Sequence, residues 1–71
     1  MVYFTEIRPT EHYLENHASD VPWEKVVKLI FSTKNPRKKG EKFEIENGEY
    51  YLLFEVQNGI LFVINAKRVK L

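Results

Sequence analysis

The sequence predicts a small α+β domain of βααβββ order, in which two N-terminal helices pack on a three- to four-stranded antiparallel meander. Apolar side chains recur at helical spacing over residues 23–31. Aromatic and β-branched runs at Tyr50–Val56 and Ile60–Ala66 are typical of strands. Asn47-Gly48 and Asn58-Gly59 are strong hairpin signals. A chain of 71 residues accommodates one core, so residues 1–71 form a single domain.

The first half of the chain contains one weak strand signal and two helix signals. Alternation over Val2–Ile7 predicts a short edge strand. Thr10 is a suitable N-cap for a first helix over Glu11–Ala18. Pro22 suits the first turn of the second helix, because its missing N–H leaves no helical bond unmade there. Asn35-Pro36 ends the helical region, because a residue before proline avoids the α conformation.

The second half begins with a basic loop, Lys34–Glu41, which contains a proline and a glycine. The alternating segment Lys42–Glu46 predicts the first strand of the meander. Two-residue turns at both hairpins then fix the strand register. The expected cross-strand pairs are Ile45 with Tyr50, Phe43 with Leu52, Val56 with Leu61, and Phe54 with Val63.

The two faces of the predicted sheet differ in polarity. One face is almost wholly apolar and requires the helices as a cover. The other face is only half polar, which is more apolar than solvent contact alone requires, and indicates a partner or another element. On this second face we expect Tyr51, Leu53, Phe62 and Ile64 beside Glu44, Glu46 and Glu55.

Several classes of chemistry have little support in the sequence. No cysteine is present, so thiolate metal sites and disulfides are excluded. The spacing of His12 and His17 does not suit two ligands on one helix face, and no phosphate-binding or nucleophile motif occurs. We predict neither a metal nor a cofactor. The N-terminus resembles no signal peptide and the longest apolar run, Ile60–Ile64, cannot span a bilayer, so we predict a cytoplasmic protein without membrane contact.

The net charge is only +1, but the basic residues are concentrated in two places. One is the predicted loop and the residue after it, and the other is the C-terminus. Clustered cations neutralise nucleic-acid phosphates and release counterions, and exposed Tyr51 or Phe62 would stack on a base. The candidate nucleic-acid-binding residues are Lys34, Arg37, Lys38, Lys39, Lys42, Lys67, Arg68 and Lys70.

Metal-independent RNA cleavage needs cations at the scissile phosphate and a group that moves the proton of the 2′-hydroxyl. The basic residues are candidates for the first role. His12, Tyr50 and Tyr51 are candidates for the second. We therefore take His12, Tyr51 and Arg68 as the candidate catalytic residues, and the sequence leaves open whether the protein is an enzyme.

Three segments together with the element order resemble the RelE/ParE toxin superfamily, and most closely its small DUF4258-like members. The segments are Glu11-His12-Tyr13, residues 21–30 and residues 59–67. The resemblance implies a βααβββ fold, a sheet face open to RNA or the ribosome, and an antitoxin partner. It also implies a functional role for His12, which stands where family members carry a histidine. The arginine that usually follows is replaced by Glu15 and Asn16.

Three functional hypotheses follow. The leading one is a RelE-like RNA-binding protein, in its stronger form a metal-independent endoribonuclease toxin of a toxin–antitoxin pair. Its partners would be RNA or the ribosome, with an antitoxin or a second copy on the second sheet face. The first alternative is a non-catalytic winged-helix DNA-binding module, with Trp23–Phe31 as its helix and the Asn58-Gly59 hairpin as its wing. The second alternative is a protein–protein adaptor without a nucleic-acid role.

Overall fold

The computed structural model describes residues 3–16, 18–33 and 35–69, and it has the predicted α+β class. Two helices and five strands are present in that part of the chain. The elements are β1 (Glu6–Pro9), α1 (Glu11–Asn16), α2 (Trp23–Ser32), β2 (Arg37–Lys39), β3 (Lys42–Glu46), β4 (Tyr50–Gln57) and β5 (Ile60–Arg68).

The strands form one mixed sheet in the order β1-β5-β4-β3-β2. The predicted antiparallel meander is present as β3, β4 and β5. Two strands modify it: β2 extends it antiparallel at one edge, and β1 pairs parallel with β5 at the other. A purely antiparallel sheet was therefore a wrong expectation. Parallel strands need a long crossover connection. Here the chain between β1 and β5 includes both helices and the other three strands, so it is long enough for parallel pairing.

The first strand lies later in the chain than predicted. It occupies Glu6–Pro9, whereas the expected strand was Val2–Ile7, of which Val2 lies outside the described residues. Thr10, which follows Pro9, donates its N–H to the Val63 carbonyl at 3.0 Å. The Thr10 hydroxyl accepts a hydrogen bond from the N–H of Tyr13 at 3.2 Å. Thr10 is thus the predicted cap and also ties the end of β1 to β5.

Both predicted helices are present. The first ends at Asn16 rather than at Ala18. The second matches its predicted extent closely, with Pro22 as the N-cap and two N–H groups of the first turn bonded to the Pro22 carbonyl. Thr33 is extended and ends this helix. Within the described ranges, neither helix is long and apolar enough to cross a bilayer.

The predicted basic loop contains a strand, which corrects the sequence interpretation. Arg37–Lys39 pairs with β3, and Lys39 lies opposite Lys42 across the two-residue turn Gly40-Glu41. Gly40 has a φ of 65°, as the first position of a type II′ turn requires. All three residues of β2 are exposed and cationic, so hydrophobic periodicity carries no signal for this strand.

The register of the first hairpin differs by two residues from the prediction. The Asn47 side-chain oxygen accepts hydrogen bonds from the N–H groups of Glu49 at 3.1 Å and Tyr50 at 2.8 Å. These bonds widen the turn beyond two residues. Because the shift is an even number, every side chain keeps its predicted face. The observed pairs are Ile45 with Leu52 and Phe43 with Phe54, in place of Ile45 with Tyr50 and Phe43 with Leu52.

The second hairpin has the predicted turn and register. Asn58 and Gly59 both have positive φ, 53° and 78°, which identifies a type I′ turn. Val56 pairs with Leu61 and Phe54 with Val63 as expected. A β-bulge then follows, because Leu53 pairs with Asn65 and the partner numbering slips by one. Beyond the bulge Leu52 pairs with Ala66, which brings this alanine into the core.

The core lies between the two helices and one face of the sheet. Tyr13 of α1, Val26 of α2 and Val21 between them are fully buried. The Tyr13 hydroxyl donates a hydrogen bond to the Val21 carbonyl at 2.5 Å, and its ring packs on Trp23 with the ring centroids 5.7 Å apart. The buried core residues are Tyr13, Val21, Val26, Leu29, Ile30, Ile45, Leu52, Phe54, Leu61, Val63 and Ala66.

The Tyr13–Val21 hydrogen bond should contribute measurably to stability. Tyr13→Phe keeps the ring but leaves the buried Val21 carbonyl without this donor, so we expect a loss of about 1–3 kcal/mol of unfolding free energy. Urea denaturation followed by tryptophan fluorescence measures it. Tyr3→Phe, at a side chain that is 79% exposed, is the matched control and should change little. Equal effects of the two substitutions would contradict the packing described here.

Candidate nucleic-acid interface

The sheet face that points away from the helices is called the open face. Cross-strand partners share a face, so the register assigns each residue to one side. No described helix packs on this side, since the core residues of both helices join the opposite face. The register assigns these residues to the open face: Glu6, Arg8, Arg37, Lys39, Lys42, Glu44, Glu46, Tyr51, Leu53, Glu55, Gln57, Ile60, Phe62, Asn65 and Lys67. Because of the bulge, Asn65 rather than the expected Ile64 lies opposite Leu53.

The centre of the open face is apolar. Leu53 and Phe62 lie there with the Tyr51 ring, and each of these side chains is partly buried. Neighbouring side chains on a sheet shield one another, which explains partial burial without a covering element. The half-apolar character expected for this face is therefore present. Two large apolar side chains that are exposed, Leu14 and Phe31, belong to the helices and therefore lie outside the open face.

Glu44 connects three strands at one end of the open face. Only 9% of this residue is exposed. Its carboxylate accepts a hydrogen bond from the Tyr51 hydroxyl of β4 at 2.7 Å and another from Arg37 Nε of β2 at 2.8 Å. Lys39 Nζ lies 3.9 Å from Oε2 of the same carboxylate. We call these four residues the Glu44 network. This contact could not be predicted, because Arg37 and Lys39 belong to β2, which was expected to be a loop.

The Glu44 network fixes the protonation of both of its central groups. The hydrogen bond from Tyr51 lowers the pKa of Glu44; burial opposes this, and the charges of Arg37 and Lys39 lower it further. The same hydrogen bond, with burial, raises the pKa of Tyr51 to about 12. Near neutral pH Glu44 is an anion and Tyr51 is a neutral phenol. Tyr51 is then a donor and a flat aromatic surface rather than a proton acceptor.

Four of the predicted nucleic-acid-binding residues share the open face: Arg37, Lys39, Lys42 and Lys67. The side chains of Arg37 and Lys39 remain 62% and 68% exposed despite their contacts with Glu44. Arg37 also approaches Glu46, with Nη2 3.4 Å from its carboxylate. Lys67 Nζ lies 5.4 Å from the centroid of the Tyr51 ring, which places a cation beside the aromatic surface.

The other predicted binding residues are located elsewhere. Lys38 alternates to the helix-bearing side of the sheet, opposite Phe43. Arg68 pairs with Tyr50, whose ring lies 5.0 Å from Lys25 Nζ of α2, so Arg68 is on the helix-bearing side as well. Lys34 and Lys70 lie outside the described residues.

The structure does not bring the three candidate catalytic residues together. His12 belongs to α1, where its Nδ1 lies 3.4 Å from Asn16 Nδ2. That helix packs on the side of the sheet opposite Tyr51. Arg68 of β5 lies on the helix-bearing side as His12 does, so the sheet separates both of them from Tyr51. No group of three or more His, Asp or Glu side chains suited to a metal occurs within 3–16, 18–33 and 35–69. His12, Tyr51 and Arg68 thus share no site.

A polar cleft adjoins the Glu44 network. It has a volume of about 420 Å³ and lies where the end of α2 and the segment before β2 approach β3. Asn35 and Asn47 contribute amide groups to its wall, and Glu46 contributes a carboxylate. The open face therefore continues into a concave region with both donors and acceptors.

The raised pKa of Tyr51 provides a direct test of the Glu44 network. In Glu44→Gln the charge that stabilises the neutral phenol is absent, so the pKa of Tyr51 should fall from about 12 towards 10.0. Titration of the tyrosine ring Cζ shifts by NMR measures this change. Glu46→Gln, which removes a more distant charge, is the control and should lower the pKa of Tyr51 less. Ionisation of Tyr51 near pH 10 in the native chain would contradict the proposed contact.

The lowered pKa of Glu44 predicts an acid-sensitive stability. Ionised Glu44 stabilises the folded state at pH values above its unfolded pKa, near 4.5, and that contribution is lost as pH falls through the folded pKa. Glu44→Gln cannot titrate, so it should lose less unfolding free energy than the native chain between pH 7 and about pH 3. Urea denaturation at several pH values measures the difference. Parallel pH profiles for the two proteins would count against the network.

Comparison of the chain with protein-family models, with curated proteins and with solved structures gave no significant match. The resemblance to the RelE/ParE superfamily therefore stays a prediction. The functional argument consequently depends on the open face itself: its aromatic rings, its cations and the position of the Glu44 network.

Proposed function

We propose that the chain is a RelE-like RNA-binding protein that binds single-stranded RNA on its open face. One observation carries this proposal: an uncovered sheet face presents the Tyr51 ring beside Lys67. Phe62 adds a second aromatic ring on the same face. This combination suits single-stranded nucleic acid, whose bases stack on aromatic rings while cations contact the phosphates.

The aromatic part of the face is held in a form suited to stacking. The hydrogen bond from Tyr51 to Glu44 fixes the hydroxyl end of the ring. The same bond raises the pKa of Tyr51 to about 12, so the phenol is neutral at neutral pH. Leu53, beside Tyr51 on the open side of β4, extends the apolar surface. A base that contacts this area would replace water on partly exposed apolar side chains.

The phosphates of the strand would contact the cations around the aromatic area. Lys42 and Lys67 lie on the open face, and Arg37 and Lys39 extend it to the edge of the sheet. Glu44 and Glu46 neutralise part of this charge, since both contact Arg37. Because Glu6 and Glu55 also lie on this face, its five cations exceed its four acids by only one among the described residues, so we expect binding that is salt-sensitive and of modest affinity.

The proposed activity is binding rather than cleavage. Metal-independent cleavage needs a proton-transfer group beside the bound phosphate. Because its pKa is raised, Tyr51 stays a protonated, weakly acidic phenol at neutral pH and offers no phenolate to accept a proton, and His12 lies on the helix-bearing side of the sheet. The winged-helix alternative would use α2 as the binding surface. The sheet is the better candidate, because α2 buries Val26, Leu29 and Ile30 in the core.

RNA binding can be measured by fluorescence anisotropy with a labelled single-stranded RNA of about twelve nucleotides. Lys67→Ala should weaken binding and reduce the slope of log affinity against log salt by about 0.7, the value for one phosphate contact. Phe62→Ala should cost about 1–3 kcal/mol of binding free energy if a base stacks there. Lys28→Ala, at an exposed position on α2, is the matched control and should leave the affinity unchanged.

Three outcomes would overturn this proposal. The first is no salt-sensitive RNA binding by the native chain. The second is equal loss of affinity in Lys67→Ala and Lys28→Ala. The third is tighter binding of duplex DNA than of the RNA, which would favour the winged-helix alternative. Gel analysis of the RNA after incubation tests the distinction between binding and cleavage, and we expect the RNA to remain intact.

A second candidate function is protein binding on the same face, by an antitoxin-like partner. The observation that favours it is the apolar centre formed by Leu53 and Phe62. Leu53→Glu would place a charge in that centre and should abolish association with such a partner. A partner that covers this face would also compete with RNA, so displacement of labelled RNA by the purified partner measures its binding.

A further inference from the structure

The two edges of the sheet differ in whether their charges allow pairing with the same edge of a second copy. The β2 edge carries Arg37, Lys38 and Lys39, all exposed. Two such edges in contact would bring like charges together, and edge cations are a known device against pairing of strands. The β1 edge instead carries one acid, Glu6, and one base, Arg8, on the same side of the strand. Self-association is therefore disfavoured at β2 and permitted at β1.

The backbone of β1 leaves one residue available for pairing at this edge. Thr10 donates its N–H to the Val63 carbonyl, while Pro9 is the register partner of Val63. Alternate residues of a strand direct their polar groups to opposite edges, so Ile7 directs its N–H and carbonyl away from β5. Pro9 has no N–H to donate, which limits a continuous ladder to the neighbourhood of Ile7.

The charges of β1 are self-complementary about Ile7. In an antiparallel pair of β1 strands centred on Ile7, Glu6 of each copy lies opposite Arg8 of the other. Opposite charges in directly facing positions stabilise strand pairing, and like charges destabilise it. Within one chain Arg8 already forms an ion pair with Glu6. A second copy would join the two internal pairs into a square of four charges, in which each charge has opposite charges beside it and across the junction.

An apolar groove beside β1 provides the surface that such a pairing would bury. The groove has a volume of about 430 Å³ and lies between β1 with the residues before it and α2. Phe4, from the segment before β1, packs on Phe31 of α2 with ring centroids 5.9 Å apart, and Trp23 of α2 also lines the groove. Phe31 is 69% exposed, and together with Phe4, Trp23 and Val27 it forms a contiguous apolar surface rather than a single exposed side chain.

We propose that the β1 edge is a homodimer interface, in which two copies pair antiparallel about Ile7 and bury Phe31 of each. A two-fold axis through an antiparallel strand pair keeps the helices of both copies on one side of the joined sheet. The two apolar grooves then face each other across the axis. Because Pro9 restricts the hydrogen bonds, the apolar contact supplies most of the affinity. The interface leaves the open face uncovered and does not depend on RNA binding.

Sedimentation equilibrium of the full chain from about 1 μM to about 1 mM tests the interface. The native chain should show a monomer–dimer equilibrium. Arg8→Glu places four acids across the junction and should raise the dimer dissociation constant about tenfold or more. The exchange Glu6→Arg with Arg8→Glu restores complementary pairs and should return the dissociation constant to the native value. Phe31→Ser should raise it roughly a hundredfold, because each copy loses a buried ring.

Matched controls separate the interface from general effects. Leu14→Ser removes another exposed apolar side chain, on α1 and outside the groove, and should leave the dissociation constant unchanged. Circular dichroism verifies that each variant is folded. A native chain that stays monomeric over the whole range would overturn the proposal. So would a dimer that is insensitive to Arg8→Glu and Phe31→Ser, or one that the double exchange fails to restore. If Arg8→Glu does not fold, the dissociation constants of the double exchange and of Phe31→Ser still test the interface.

Discussion

The placement of both helices on one face of the sheet is the constraint from which the rest of the structure follows. The chain leaves β1 at one edge and enters β2 at the other, and it crosses the sheet once, through α1 and α2. That crossing brings Tyr13, Val21 and Val26 onto Leu52 and the apolar residues around it. So short a chain provides no second helical layer among its described residues. The opposite face is left to side chains that must cover one another.

The apolar core stabilises the helix-bearing face of the sheet, and the Glu44 network is a polar cluster of contacts on the open face. A carboxylate on an uncovered sheet would ordinarily be solvated, but Glu44 is enclosed by Tyr51 and by two cations of β2. Its contacts join a three-residue edge strand, which has no apolar side chain, to the centre of the sheet. Structure and chemistry are connected here, because the contacts that hold β2 also keep Tyr51 neutral and set Arg37 and Lys39 along the rim of the open face.

The sequence was most informative where a local pattern is specific for one structure, as helical periodicity is for a helix and Asn-Gly is for a tight hairpin turn. The helix α2 and the Asn58-Gly59 turn are of this kind, although Phe31 of the predicted stripe is exposed and Leu29 occupies a core position instead. Local patterns carried less information where pairing decides the outcome. Nothing in Arg37–Lys39 indicates a strand until β3 lies beside it. The Asn47 side-chain hydrogen bonds and the bulge at Leu53 shift the register without changing the composition. Glu44 could not be identified before that register was known.

The central claim is that one face of the sheet is covered and the other is open. Neighbouring residues of β4 alternate between the two, so they can be compared within one strand. The most direct measurement is NMR relaxation enhancement by an inert, soluble gadolinium chelate, which acts on side chains near solvent. The account predicts strong enhancement for Leu53 and for the Phe62 ring, and weak enhancement for Leu52 and Leu61, which are fully buried. Equal protection of Leu53 and Leu52 would contradict it.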